Sequence, residues 1–395
     1  MKYMSLVKIF FLLLIISFLP FSACQKEEDN IIRIGVFEPI TGSEGTEGKQ
    51  ETLGILYANS LTPKVTIGDT EYKVLLEIAD NESSVIKSKT VAQELAEKDI
   101  SIVLGSYGSE FCIAGSRAFE KADIPAIGIT CTNPLVTLRN NHYFRICFLD
   151  PFQGTVLASF AIDQFNAKKA YCLAKLNDDY SVGLCNYFID TFKKNGKEFV
   201  FETFPDGTTD FSAYIANAKK QNADVFFCPL FVESAPFLIE QASQINPDVP
   251  ILAGDAWDSN IVSSVAKDTG MEIYVTSFFC VGCFEDQISD FITGFKNYIN
   301  ANNNAKVSNG GNDEISATAA MGFDAYYTAL EALKLAQSAE SKKVLEVMPS
   351  VKYKGITGNI EFDKNGDAIR DTAFVKKVNP ETGKWTFVSK QKVNQ

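Results

Sequence analysis

The sequence predicts an α/β protein of two similar lobes, each a parallel sheet covered by helices on both faces. Short apolar runs recur along the chain in two successive series. The first is IIRIGVF (31–37), YKVLLEI (72–78), ISIVLG (100–105), IPAIGI (124–129) and YFRICF (143–148). The second is KAYCLAK (169–175), KEFVFETF (197–204), DVFFCPL (224–230), VPILAG (249–254) and EIYVTSFF (272–279). Between the runs lie stretches with helical spacing, at 84–97, 109–121, 152–166 and 233–245. Runs of strand length alternating with helices argue for parallel sheets buried on both faces. The break between the series falls at Leu149-Asp150-Pro151-Phe152-Gln153-Gly154, and 395 residues suit two lobes better than one.

The rest of the chain fills in that plan. Region 286–348 reads as helix, most clearly over 316–338, after an Asn/Gly-rich stretch at 300–313 expected to be an exposed loop. The closing segment, TGNIEFDKNGDAIRDTAFVKKVNPETGKWTFV, reads as three strands separated by turns, with Asn365-Gly366 suited to a tight one. FDKNGD looks like the opening of a calcium loop. Counted from Asp363, however, Ala368 and Val375 stand where that loop needs Gly and Glu, so it reads as a polar hairpin tip.

Residues 1–24 read as an export leader. Lys2 and Lys8 bracket the start of an apolar run over 9–20, closed by Phe21-Ser22-Ala23-Cys24. A cysteine directly after the small pair marks a lipoprotein-type signal, with 1–23 removed, Cys24 lipidated and 24–30 a tether. The run is short for a span, and no later segment reaches about 18 unbroken apolar residues. The expectation is an exported protein, lipid-anchored and either periplasmic or at the cell surface.

Composition excludes some partners. The chain has 49 acidic against 37 basic residues, a formal net charge of −12, and the leader takes Lys2 and Lys8 with it. Without a basic cluster, nucleic acid and anionic lipid surfaces are poor partners. Nine cysteines are present. Lipidation accounts for Cys24, and several others sit inside apolar runs where cysteine serves as a small buried hydrophobe. Buried thiols are therefore the first reading, and one or more disulfides the second. Cys280-Val281-Gly282-Cys283 has the spacing of redox and zinc sites, but with one histidine in the chain and no second such pair a zinc quartet is not expected.

Catalysis finds little support. The single histidine, His142, sits beside Asn140 and Asn141 and reads as a surface loop residue. No G-x-S-x-G, phosphate-binding loop, H-E-x-x-H or dinucleotide signature occurs. No enzyme activity, cofactor or metal is expected. Binding is better supported, because open parallel sheets take ligands beyond their strands' carboxyl ends, near helix N-termini that favour anions. Ser106-Tyr107-Gly108-Ser109-Glu110 and Thr130-Cys131-Thr132-Asn133-Pro134 are two such loops, rich in hydroxyls and backbone amides. Ser109 and Thr132 serve there either as ligand contacts or as ordinary helix N-caps.

The order and spacing of several stretches go further. VFEPITG, VLGSYGSEFCIAGSRAFEKADIPAIGITCTNP, FRICFLDPFQG, ILAGDAWDSN, GFDAYYTALEAL and GITGNIEFDKNGD together resemble the type I periplasmic binding proteins. The likeness is to the branched-chain amino-acid-binding lipoproteins of ABC importers, and it covers nearly all of 31–390. It implies two Rossmann-like lobes joined by crossover strands and closing like a Venus flytrap. The first lobe would hold 31–149 plus about 281–350, and the second 150–280 plus about 351–395. An amino acid would be captured between the lobes and passed to the membrane permease.

The resemblance also implies roles for particular residues. Ser109 and Thr132 would hold the ligand carboxylate, and the Thr130 carbonyl would accept from its ammonium. Tyr180 would close from the second lobe, Phe231 would form an aromatic wall, and Asp255 would pair with the ammonium, its alternative being a helix N-cap. Where such binders carry an aromatic after the first strand, this chain has Glu47 in TGSEGTEGKQ. That carboxylate either suits a polar or cationic ligand or points to solvent. ADNESS lacks the cysteine that would complete a first-lobe disulfide seen in some relatives. A sensor feeding a signalling partner and a surface interaction protein are the rival readings.

Overall fold

The computed structural model describes residues 30–283 and 285–392. The leader and Cys24 with its expected lipid lie outside the described residues.

Two sheets form the frame. The first contains β1 (Ile31–Glu38), β2 (Lys64–Ile67), β3 (Thr70–Asp80), β4 (Ile102–Leu104), β5 (Ala126–Gly128) and β6 (Tyr143–Arg145), in the order β2-β3-β1-β4-β5-β6. All its pairings are parallel except β2 with β3. β2 is a strand the sequence pattern did not suggest, since KVTI is short and only half apolar; a turn through Gly68 folds it back on β3. The second sheet is ordered β15-β14-β11-β10-β9-β7-β8. Its parallel strands are β7 (Lys169–Lys175), β8 (Glu198–Phe204), β9 (Val225–Phe227), β10 (Ile251–Ala253) and β11 (Ile273–Ser277). Between β11 and the antiparallel edge comes the small hairpin of β12 (Lys352–Gly355) and β13 (Gly358–Glu361). The edge itself is β14 (Thr372–Asn379) and β15 (Lys384–Lys392).

Helices cover both sheets. On the first side they are α1 (Gly45–Leu61), α2 (Val85–Ala96) and α3 (Ser109–Lys121); on the second, α4 (Asp150–Phe165), α5 (Asp179–Lys194), α6 (Ser212–Lys220), α7 (Ala235–Ile245) and α8 (Asn260–Thr269). The chain then returns to the first side with α9 (Glu285–Ala301), α10 (Asn303–Ser308), α11 (Ala317–Ala336) and α12 (Ser341–Val347). α11 lies along α1. Glycines set how close they come: a Cβ on Gly54 would stand 1.9 Å from the Ala319 carbonyl oxygen, and one on Gly322 2.2 Å from that of Glu51.

The backbone crosses between sheets three times, after β6, after β11 and before β14. Phe148 and Phe278, in the first two crossings, pack with ring centroids 4.2 Å apart and planes tilted by 38°. The third crossing falls later than the expected boundary near residue 351. Asp324 of α11 accepts hydrogen bonds from the Ile356 and Thr357 amides at 3.0 and 2.8 Å, which ties the β12–β13 hairpin to the first lobe. Phe362 packs on Phe144, and Asp367 pairs with Arg145 at 2.6 Å, so the chain joins the second sheet only at Thr372.

Three local expectations need correcting. The stretch 300–313 contains a turn and a half of helix, α10, because Asn302 caps it by accepting from the Asn304 and Ala305 amides at 3.0 and 3.2 Å. His142 is buried, with Nε2 3.4 Å from Asp123, since its carbonyl already accepts from Ala126 at the start of β5. Cys280 and Cys283 form a disulfide, whereas Cys112, Cys131, Cys147, Cys172, Cys185 and Cys228 are buried free thiols, as their apolar contexts suggested.

Candidate functional site

In the first sheet the strand order turns over between β1 and β4, and the loops leaving those strands and β5 face the second lobe. Open α/β sheets gather their ligand groups at such switch points. Tyr107 to Ser109 come from the loop after β4, Thr130 to Asn133 from that after β5. The second lobe answers with Tyr180 at the start of α5, Phe231 after β9 and Asp255 after β10. Ser109, Thr130, Tyr180, Phe231 and Asp255 line one cavity together with Tyr107, Gly108 and Ala256.

The N-cap alternatives do not describe these residues. Gly108, not Ser109, occupies the cap position of α3, and the Ser109 hydroxyl accepts from the Asn133 amide at 3.1 Å. The turn after Thr132 is capped by Asn133, and the Thr132 hydroxyl is buried without a hydrogen-bond partner. Asp255 makes no cap bond; its Oδ1 accepts from Gln153 Nε2 at 2.8 Å and from the Tyr180 hydroxyl at 3.1 Å. The Asp255 amide donates back to Gln153 Oε1 at 2.8 Å. Gly254 makes this possible, since a Cβ there would lie 2.2 Å from the Tyr180 hydroxyl. The Thr130 hydroxyl donates to Glu51 at 2.6 Å, a bond that leaves its carbonyl's expected part untouched.

A buried framework holds the first-lobe loops. Arg145, fully buried, donates to the carbonyls of Cys131 and Asn133 at 2.9 and 2.7 Å and to the Thr137 hydroxyl at 2.6 Å, while pairing with Asp367. Beneath Thr130 lies a carboxyl pair, Glu38 and Glu51. Burial and their mutual repulsion hold Glu38 well above the ordinary range, and burial lifts Glu51 to about 8. Tyr107 donates its amide to Glu38 at 2.7 Å.

The lobes stand closed. Asn133 Nδ2 of the first donates to the Asp179 carbonyl of the second at 2.7 Å, and Ser259 donates to Glu47 at 3.4 Å. Phe231 packs on Tyr107 at 5.9 Å and on Tyr180 at 5.2 Å. The free volume left among these groups is about 10 Å3, roughly one water. A molecule of amino-acid size enters only once the lobes swing apart.

Glu47 does not point to solvent: it is 3 % exposed, and burial raises its carboxyl to about 8. It does not line the small cavity but borders it, raising the Tyr107 hydroxyl beyond what burial alone does. Glu44, one turn before it, rises to about 8 through burial and the charge of Glu233. Burial likewise lifts Asp255 to about 7 and Asp150 to about 8. Sequence reasoning missed Tyr107, Gln153, Glu44, Glu51 and Glu233. The spacing of Glu44, Glu47 and Glu51 places three carboxylates on one helix face, a signal that was present; Gln153 reaches Asp255 only through the tertiary fold.

A hinged pair of α/β lobes with hydroxyls, a carboxylate and aromatic rings meeting between them defines a small-molecule binder that closes around its ligand. The chain matches the periplasmic binding protein family model over residues 31–384 and belongs to that family, a solute-binding and extracytoplasmic class. A Leu/Ile/Val-binding protein homologue from Brucella abortus is 26 % identical over 353 residues, covering 85 % of this chain and 87 % of its own. An amino acid binding protein from Pseudomonas aeruginosa is 30 % identical over 215 residues, 53 % of this chain and 57 % of its own. Among solved structures, the leucine binding protein LivK from Thermotoga maritima superimposes with a TM-score of 0.80 at 28 % identity, covering 91 % of this chain and 98 % of its own. The fold also matches LivJ from Streptococcus pneumoniae, solved with isoleucine, at a TM-score of 0.79 and 23 % identity over 92 % of this chain and 99 % of its own.

Proposed function

We propose that this protein captures an amino acid between its lobes and delivers it to the permease of an ABC importer, tethered to the membrane by lipid on Cys24. The observation that carries this reading is the convergence of Ser109, Thr130 and Asp255 on one interlobe cavity. Ser109 in the cavity, and Thr132 outside its lining but on the same loop as Thr130, receive the ligand carboxylate beside the α3 N-terminus, whose free amides favour an anion. The Thr130 carbonyl and Asp255 take the ammonium, and Tyr180 and Phe231 close over it. A buried ammonium requires a carboxylate partner, and Asp255, already oriented by Gln153 and Tyr180, supplies one. Ligand shifts the hinge toward the closed form through contacts that the open form lacks. The ligands of its relatives, leucine, isoleucine and valine, support the amino-acid class.

Calorimetric titration of amino acids into protein unfolded and refolded to strip carried ligand tests the reading. At least one amino acid should bind, and Asp255→Ala should weaken it by about tenfold or more. Binding unchanged by that substitution removes Asp255 from the site; no binding by any amino acid removes the reading itself.

A further inference from the structure

We propose that the amino acid this cleft selects carries a second positive charge at the end of its side chain, an ammonium or guanidinium received by Glu44, Glu47 and Glu233. The proposal rests on the amino-acid reading above and specifies its ligand.

Asp255 already answers an α-ammonium. Beyond it, a second acidic group acts on the Tyr107 hydroxyl, which Glu47, Glu44 and Glu233 all raise. Glu44 and Glu47 come from α1 and its leading turn, both buried, at 2 % and 3 % exposed. Glu233 comes from the opposite lobe, two residues after Phe231. The repulsion that Glu233 exerts on both Glu44 and Glu47 shows that the three form one electrostatic cluster. One cation already stands among them: Lys175 lies 3.7 Å from both Glu233 and Asp206 and 5.6 Å over the Phe231 ring, and its charge acts on Glu44 as well, so a single lysine faces several carboxylates. Glu110, Asp178 and Asp179 add further negative charge around the same mouth.

Unsatisfied polar atoms point to a missing partner. Glu44 Oε2 and Glu233 Oε2 are buried without a hydrogen bond, and so is the Tyr107 hydroxyl, on a residue 3 % exposed that lines the cavity. Buried polar groups are ordinarily paired, and each one left orphaned is costly. Tyr107, Phe231 and Tyr180 form a continuous aromatic run, in which Tyr180 bonds to Asp255 and the Tyr107 hydroxyl feels the charges of both Asp255 and these acids. Such a run suits the methylene stem of a long cationic side chain, which buries its carbons and keeps its charged head among polar groups. A branched apolar side chain would fill the aromatic part and leave Glu44 Oε2, Glu233 Oε2 and the Tyr107 hydroxyl unsatisfied. Even with the Lys175 charge acting on Glu44, burial lifts Glu44 and Glu47 to about 8, so both keep protons near neutral pH and the incoming cation binds as they ionise.

Stripped wild-type protein, titrated at pH 8 with lysine, arginine, ornithine, leucine and glutamine, tests this directly. Lysine, arginine or ornithine should bind about a hundredfold more tightly than leucine or glutamine. In Glu47→Gln and Glu44→Gln, isosteric changes compared within one preparation, that ratio should shrink by about tenfold or more. Leucine or glutamine binding as tightly as the cationic amino acids overturns the inference while leaving the amino-acid reading intact. A ratio that neither variant moves also overturns it. Failure of every amino acid removes the broader reading, and this one with it.

Discussion

Asp255 shows how one side chain is prepared before any ligand arrives. Gln153 and Tyr180 fix its Oδ1, and the absence of a Cβ at Gly254 lets the tyrosine hydroxyl close in. Gly254→Ala should push Tyr180 off Asp255 and weaken ligand binding by about 1–3 kcal/mol, with far-UV circular dichroism unchanged; equal affinity would show that the tyrosine contact is dispensable. That the loops carrying Ser109 and Thr130 would border an interlobe cavity was legible from GSYGSE and TCTNP. Gln153 was not, because 102 positions separate it from its partner and nothing near it signals the pairing. His142 misled for a related reason: its asparagine neighbours look like a surface loop, but burial there is decided by the sheet partner opposite.

The element that best explains what sequence patterns reveal is α1. The strands were legible because parallel strands buried on both faces read as unbroken apolar runs. α1 shows no such stripe: its buried side includes Glu47, Gln50 and Glu51 as well as Leu53 and Ile55. A helix that turns carboxylates toward a cleft and glycines toward a neighbouring helix has no apolar periodicity to find. The close approach of α1 to α11 makes Gly322→Val costly; we expect a loss of about 2–4 kcal/mol, read as a lower denaturation midpoint in urea. Arg145 matters for the same structural reason on the β5–β6 side. Arg145→Met should cost about 3–5 kcal/mol, since Asp367 and two loop carbonyls lose their buried partner. A variant as stable as wild type would show that water replaces the guanidinium.

Across the molecule, the cleft carboxyls couple stability to pH. Glu44, Glu47, Glu51 and Asp150 rise to about 8 and Asp255 to about 7 in the folded protein, against 4.5 or 3.8 ordinarily, burial being the largest cause for each. Between those limits the folded state binds more protons than the unfolded state, so stability falls as pH rises. Their contribution is complete below about pH 4 and is lost as pH climbs through 7 to 8. Ligand-free protein should therefore melt several degrees higher at pH 5.5 than at pH 8.5 by scanning calorimetry. A flat or rising profile would show that these carboxyls are ionised in the fold. The two-lobed plan itself was readable from the two series of strands, whereas the late third crossing was not, because only packing on Asp324 and Arg145 assigns 352–370 to the first lobe.

Those three crossings also govern how the chain can be made. The first lobe has its last strand by Arg145, but α11, which covers α1, emerges only after the entire second sheet up to β11 has been synthesised. An amino-terminal fragment ending near residue 150 therefore exposes the face of α1 that Ala319 and Gly322 should cover, and is destined to aggregate or be degraded. The two lobes are interleaved along the chain, since the second sheet also waits for β14 and β15 at its end, and neither lobe can mature until ribosomal synthesis is nearly finished. Such late completion keeps the polypeptide open for longer, which suits a family that works outside the cytoplasm.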